Sequence, residues 1–137
     1  MQLPAGKICA LDIGTRRTGV AISDPKQQVA FSRPEVEYET ESEGLLKIKT
    51  LILKEKVSGC VVGLPVKLDG SRTEQTEKVQ AWIDELEKLC PILKADERLS
   101  TEFAKNLHGF VTKDTRWDSR AAQILLETYL SSLTPRP

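Results

Sequence analysis

Lys7-Ile-Cys-Ala-Leu-Asp-Ile-Gly-Thr-Arg-Arg-Thr-Gly-Val-Ala-Ile-Ser-Asp24 decides how the rest of the chain is read, because an apolar run ends on an acid and turns straight into a second apolar run. Ile8 to Leu11 has the unbroken apolar character of a strand buried on both faces. Asp12 stands where that strand leaves the core, Gly14 and Gly19 supply the backbone freedom of a turn, and Val20 to Ser23 returns antiparallel. Taken alone, an Asp at a strand end before a glycine is equally a turn former. The positions of the later acids bear on that choice.

Downstream, Asp24-Pro25 marks a turn, and Val29 to Val36 reads as a third antiparallel strand that Pro34 confines to a sheet edge. Thr40 or Ser42 caps a helix that puts Leu45, Ile48 and Ile52 on one face, with Leu46 and Leu51 beside it, and that ends near Lys56. Val57 to Gly63 is the next strand, so a helix joins two strands and implies a parallel, right-handed crossover. Ser71-Arg-Thr-Glu74 fits a capping box for a second helix, whose Val79, Trp82, Ile83 and Leu86 form its apolar face. Ile92 to Ala95 gives a fifth strand, with Asp96-Glu97-Arg98 at its end. A short helix from Ser100 or Thr101 to Leu107, a polar loop from Gly109 to Trp117 and a last helix from Ser119 to Leu130 complete an α/β chain with a mixed sheet. The Thr134 to Pro137 tail is expected to fray.

A chain of 137 residues with 39% hydrophobic and 29% charged residues is expected to fold as one domain over residues 1–137, without help from disulfides or structural metal. No apolar run reaches the roughly 18 residues of a membrane span, and Met1 to Lys7 lacks the apolar stretch of a signal peptide, so a cytoplasmic location with no membrane partner is expected. Cys9, Cys60 and Cys90 lie in or beside apolar runs at no zinc-like spacing and read as core thiols. His108 is the single histidine and no Gly-x-Ser-x-Gly stretch accompanies it, which speaks against Ser-His-Asp or Cys-His hydrolysis. With 20 basic and 20 acidic residues there is no bulk attraction to a polyanion. Any nucleic-acid site must be local.

Acids fall at three topologically separate points: Asp12 after the first strand, Asp96-Glu97 after the fifth, and Asp118 at the start of the last helix. Sites in α/β sheets form outside the carboxyl ends of the parallel strands. A shared edge would unite Asp12 with Glu97, and a C-terminal helix packed over the sheet would bring Asp118 to them. Three converging carboxylates repel one another unless neutralised, and Mg²⁺ or Mn²⁺ takes oxygen ligands of this kind. Paired metals about 3.5 to 4 Å apart activate a water and stabilise the leaving oxygen of a phosphodiester. Each acid keeps a local alternative, since Asp118 suits a helix N-cap and Asp96-Glu97 suits a solvated strand end. Arg16, Arg17, Lys67, Arg72 and Arg98 sit in loops bordering the proposed site and are the candidates for phosphate contacts.

Leu11 to Asp24, Val62-Gly-Leu-Pro-Val-Lys-Leu-Asp-Gly-Ser71, Asp96-Glu-Arg-Leu-Ser-Thr101 and Asp118-Ser-Arg-Ala-Ala122 resemble, in order, the successive motifs of the YqgF (RuvX) family. The resemblance implies a ribonuclease H-like fold related to the RuvC Holliday junction resolvases, with sheet order 3-2-1-4-5. It also implies a metal-dependent nuclease that matures the 5′ end of the pre-16S ribosomal RNA. The family's acids fall on Asp12, Glu97 and Asp118, as catalytic residues and metal ligands, and its Gly-Leu-Pro loop on Gly63, Leu64 and Pro65. Phe110 to Trp117 is shorter and less basic than the family's segment there, and Thr18 stands where the family carries an aliphatic residue, a change a strand tolerates.

Three other readings are open to the sequence. A sugar-kinase or actin-like phosphate loop would need a second domain and an adenosine pocket, for which the length leaves no room. A resolvase acting on branched DNA shares every motif, and a non-catalytic nucleic-acid-binding module would retain the acids for folding or ion binding. The related resolvases act as dimers, which leaves a homodimer open, although no long apolar stripe declares one.

Overall fold

The computed structural model describes residues 2–67, 69–96 and 119–133. Five strands, β1 (Ile8–Ile13), β2 (Arg17–Ser23), β3 (Ala30–Glu37), β4 (Gly59–Leu64) and β5 (Ile92–Asp96), form one sheet in the order β3-β2-β1-β4-β5. The first three are antiparallel neighbours, while β1–β4 and β4–β5 are parallel, so the expected mixed sheet and its 3-2-1-4-5 order are observed. The turn to β2 is tighter than expected. The strand already begins at Arg17, and Gly19 lies inside it opposite Asp12.

Two helices, α1 (Glu41–Glu55) and α2 (Glu74–Leu86), cover one face of the sheet, and α3 (Arg120–Ser132) covers the other. Thr40 is the N-cap of α1, its hydroxyl accepting from Glu43 N, and Lys56 closes the helix in the left-handed conformation. Ile48 and Ile52 are buried as the spacing predicts, but Leu46 is 65% exposed and plays no part in the core. The capping box of α2 is shifted from the expected place. Thr73, not Ser71, is the N-cap, because Thr76 stands three residues beyond it and the two hydroxyls and backbone N–H groups satisfy one another. Val79, Trp82, Ile83 and Leu86 are all buried, as predicted.

Pro34 sits at an irregularity of the edge ladder. Thr18 pairs with Val36 and Val20 with Arg33, so Pro34 and Glu35 together oppose Gly19. The expected helix to Leu107, the loop Gly109 to Trp117 and the C-terminal tail from Thr134 lie outside the described residues.

Candidate active site

Asp12 is the penultimate residue of the central strand, at the carboxyl edge that β1 shares with its parallel neighbour β4. Alternation along β1 sends Cys9, Leu11 and Ile13 toward α1 and α2, and Ile8 and Ala10 toward α3. Asp12 therefore belongs to the α3 face. Its partner on β2 is Gly19. Leu11 pairs with Val62, so the residue level with Asp12 on β4 is Gly63, which pairs in turn with Ala95 on β5. Across four strands, the row Gly19, Asp12, Gly63, Ala95 contains one functional side chain and nothing larger than a methyl group beside it. The Asp12 carboxylate is half-buried and has no hydrogen-bond or ion-pair partner among the described residues.

The turn after Asp12 is held from the opposite face. Gly14 N–H donates to Arg17 O at 2.9 Å, and a Cβ on Gly14 would stand 2.7 Å from that same oxygen, which explains the glycine without any unusual backbone angle. Gln75 Nε2, in the first turn of α2, donates to Ile13 O at 3.0 Å. The Tyr38 hydroxyl donates to Gly14 O at 2.7 Å, and since its one hydrogen is committed there, the Thr18 hydroxyl donates to Tyr38 at 2.9 Å. Burial raises the Tyr38 phenol above its ordinary pKa; the Thr18 hydrogen bond opposes this, and the negative charges of Glu41 and Asp12 add to it. Thr18, polar where an aliphatic residue is expected, is thus fully buried with its hydroxyl satisfied.

Ser119 ties the start of α3 to the same edge. Its Oγ accepts from Val20 N at 2.9 Å, at the register shift between β2 and β3, and so makes no capping hydrogen bond to its own helix. The N-cap of α3 is Ser119. On the other side of Asp12, Thr76 Oγ1 donates to the Pro65 carbonyl and so fastens the Gly63-Leu64-Pro65 segment to α2.

Of the three acids expected to converge, Asp12 is placed at the carboxyl edge; Glu97 and Asp118 lie outside the described residues. Among the described residues no group of three or more His, Cys, Asp or Glu side chains is arranged to hold a metal. The cations fall into two classes. Arg16 and Lys67 are exposed and have no ion-pair partner among the described residues. Arg17 opens β2 instead of sitting in a loop and pairs with Glu35 at 3.7 Å, and Arg72 pairs with Glu77 at 2.6 Å. Arg98 is outside the described residues.

Sequence reasoning missed Tyr38, Gln75, Lys78 and Ser119. Tyr38 was legible in principle: Gly44 inside a helix is a signal of close approach, and a Cβ there would lie 2.7 Å from the Tyr38 ring. Gln75, Lys78 and Ser119 carry no local signal, since their partners are 62, 64 and 99 residues away in the chain.

A family model described as RuvX, Holliday junction resolvase, matches residues 6–132. A protein of Roseiflexus sp. (strain RS-1) named "Putative pre-16S rRNA nuclease" is 37% identical, over 96% of this chain and 99% of that protein. One of the same name from Maridesulfovibrio salexigens is 38% identical over 91% and 98%. Among solved structures, the fowlpox virus resolvase in complex with Holliday junction DNA superposes with a TM-score of 0.60 at 12% identity, covering 94% of this chain and 99% of that one. T. thermophilus RuvC in complex with a Holliday junction substrate gives 0.56 at 12% identity, covering 92% and 94%. The fold is that of the RuvC-like, ribonuclease H-like proteins. No described helix is long and apolar enough to cross a membrane.

Proposed function

This chain belongs to the RuvX family, and from that membership we propose that it is a nuclease that hydrolyses phosphodiester bonds at the 5′ end of pre-16S ribosomal RNA, with Asp12, Glu97 and Asp118 holding Mg²⁺ or Mn²⁺. The observation that carries the reading is Asp12 itself: a carboxylate at the carboxyl end of the central strand, without a hydrogen-bond or ion-pair partner among the described residues and flanked by Gly19 and Gly63. Beside two glycines, its oxygens are accessible as hard ligands for a divalent cation. Glu97 directly follows β5, whose Leu93 and Ala95 share the face of Asp12, and Asp118 directly precedes Ser119, bonded to the neighbour of Gly19. Both placements favour convergence.

When bound, divalent metal supplies an activated water and stabilisation of the leaving oxygen. The chain's own contribution is to fix the carboxylates and to hold the strand. Arg16 and Lys67, unpaired among the described residues, are the foremost phosphate contacts, whereas Arg17 and Arg72 must first give up Glu35 and Glu77. Such contacts position a backbone without reading bases, so the RNA is selected by its shape and by a strand end able to bend to the edge of the sheet.

The test is cleavage of a pre-16S 5′ end and of a four-way DNA junction by one preparation, with Mn²⁺ or with chelator. RNA cleavage that needs metal and disappears in a folded Asp12→Asn variant is the expected result. Junction cleavage alone would replace the RNA assignment with the resolvase reading, which the family's description favours. Binding of either substrate without cleavage would leave a non-catalytic module.

A further inference from the structure

We propose that Tyr38 and Lys78 are positioning residues for Asp12, acting through the Gly14 carbonyl; the proposal rests on the reading of Asp12 as a metal ligand. Two consecutive carbonyls leave the strand just after Asp12, and both are held from the α1–α2 face. Ile13 O takes the Gln75 amide at 3.0 Å, and Gly14 O takes the Tyr38 hydroxyl at 2.7 Å with the Lys78 ammonium at 3.5 Å. A turn with its carbonyls so committed does not rotate freely, and the carboxylate one and two residues earlier is kept on the α3 face.

The holding groups are themselves fixed. The Tyr38 ring lies over Gly44 and 5.7 Å from the Trp82 ring, and its oxygen also receives the Thr18 hydroxyl. Lys78 keeps only 13% of its side chain exposed, its ammonium lying 3.5 Å from Glu41 Oε1 as well as near Gly14 O. Withdrawing a lysine this far from water costs stability that a methionine of similar length would not lose. Packing alone does not account for the charge. Its two partners do: one is the turn of Asp12, and the other is the first residue of α1, where Glu41 anchors the ammonium.

Tyr38→Phe keeps the ring on Gly44 and removes only the hydroxyl; Lys78→Met keeps the stem and removes the charge. Each is compared with the parent chain in Mn²⁺ affinity, in kcat and KM for the cleaved RNA, and in the Asp12 carboxyl ¹³C resonance and Gly14 amide exchange without metal. Groups that orient a metal ligand typically shift affinity by about 10–100-fold when removed. The expected result for Tyr38→Phe is about tenfold weaker Mn²⁺ binding and a similar fall in kcat with KM unchanged, together with faster Gly14 exchange and a displaced Asp12 resonance. Lys78→Met is expected to follow with a smaller effect, and Lys78→Arg to restore part of it. A lowered melting temperature with Mn²⁺ affinity, kcat and the Asp12 resonance all at parent values would overturn the proposal, because that is the pattern of a packing role. A parent chain that binds no Mn²⁺ would instead overturn the metal-site reading. The positioning is then judged by the Asp12 resonance and Gly14 exchange, which need no metal: displaced in Tyr38→Phe they support it, unmoved they refute it.

Discussion

On one face of the sheet Tyr38, Ile48, Trp82, Ile83 and Leu86 fill the space beneath α1 and α2, and the Cys9, Cys60 and Cys90 thiols lie among them. On the other, Ala10, Ala21 and Ala122 let α3 come close, with Leu125, Leu126 and Tyr129 as its larger contacts. The first face is bulky and carries the polar clamp on the Asp12 turn, while the second is shallow and carries Asp12. A single strand serves both by alternation, since Leu11 and Ile13 anchor β1 on the bulky side while Asp12 projects from the other. Stability and chemistry are thereby separated by the thickness of a sheet. Apart from the Tyr38 and Lys78 clamp, each can be perturbed with limited effect on the other.

The strongest way to break that separation is Asp12→Asn. Cleavage is expected to fall by two to three orders of magnitude or more, roughly the scale of losing a group that acts on transition-state charge, while the urea midpoint stays near the parent value. A collapse of stability would mean that Asp12 belongs to the folding side. Leu86→Ala, on the bulky side but outside the clamp, is the converse probe, expected to cost about 2–5 kcal/mol in urea unfolding with kcat of the remaining folded protein little changed. Saturating Mn²⁺ at about ten times its Kd should raise the melting temperature by roughly 3–6 °C, about 1.4 kcal/mol of preferential binding, and Asp12→Asn should abolish that rise in a thermal scan.

Two weaker effects sharpen the contrast from the bulky side. Because the Tyr38 phenol is raised in the folded state, its contribution to stability is fully present below about pH 10, the unfolded value, and is lost as pH climbs through the higher folded one. Urea midpoints at pH 9 and 11 should therefore fall more steeply in the parent than in Tyr38→Phe. The thiols complete the series. Cys60 is raised well above the usual thiol range by the neighbouring Cys9 thiol and by burial, and Cys90 is raised by its hydrogen bond to Cys60, 3.7 Å away, and by burial. A thiol-disulfide reagent should label none of the three in folded protein and all three in denaturant.

Most of the architecture was legible because it depends on local patterns. The β1–β2 apolar runs, the stripe of α2 and Pro34 at an edge each follow from spacing or from a missing N–H. What escaped has identifiable reasons. The capping box moved from Ser71 to Thr73 because a threonine at the third helical position serves as well as the expected glutamate, and Leu46 was assigned to a face on hydrophobicity alone. Asp12 was legible at its strand end. Its glycine neighbours were not, because they depend on the register that brings Gly19 and Gly63 level with it from two other strands. The tethers Ser119–Val20 and Lys78–Gly14 join residues with no shared pattern, so only the folded chain could reveal them.

The stacking of Tyr38 on Gly44, with Thr18 at its hydroxyl, has a consequence for how this chain can diverge. A Cβ at position 44 collides with the ring, and an aliphatic residue at 18 takes a donor from the phenol, so substitutions at 18, 38 and 44 are coupled and their costs do not add. These positions should be inherited together. Lineages that lose the aromatic residue at 38 become free to put alanine at 44 and an aliphatic residue at 18, whereas a lineage that changes 44 first meets a fitness valley. Grafting Thr18, Tyr38 and Gly44 as a set into a relative that lacks them should succeed where any one alone fails.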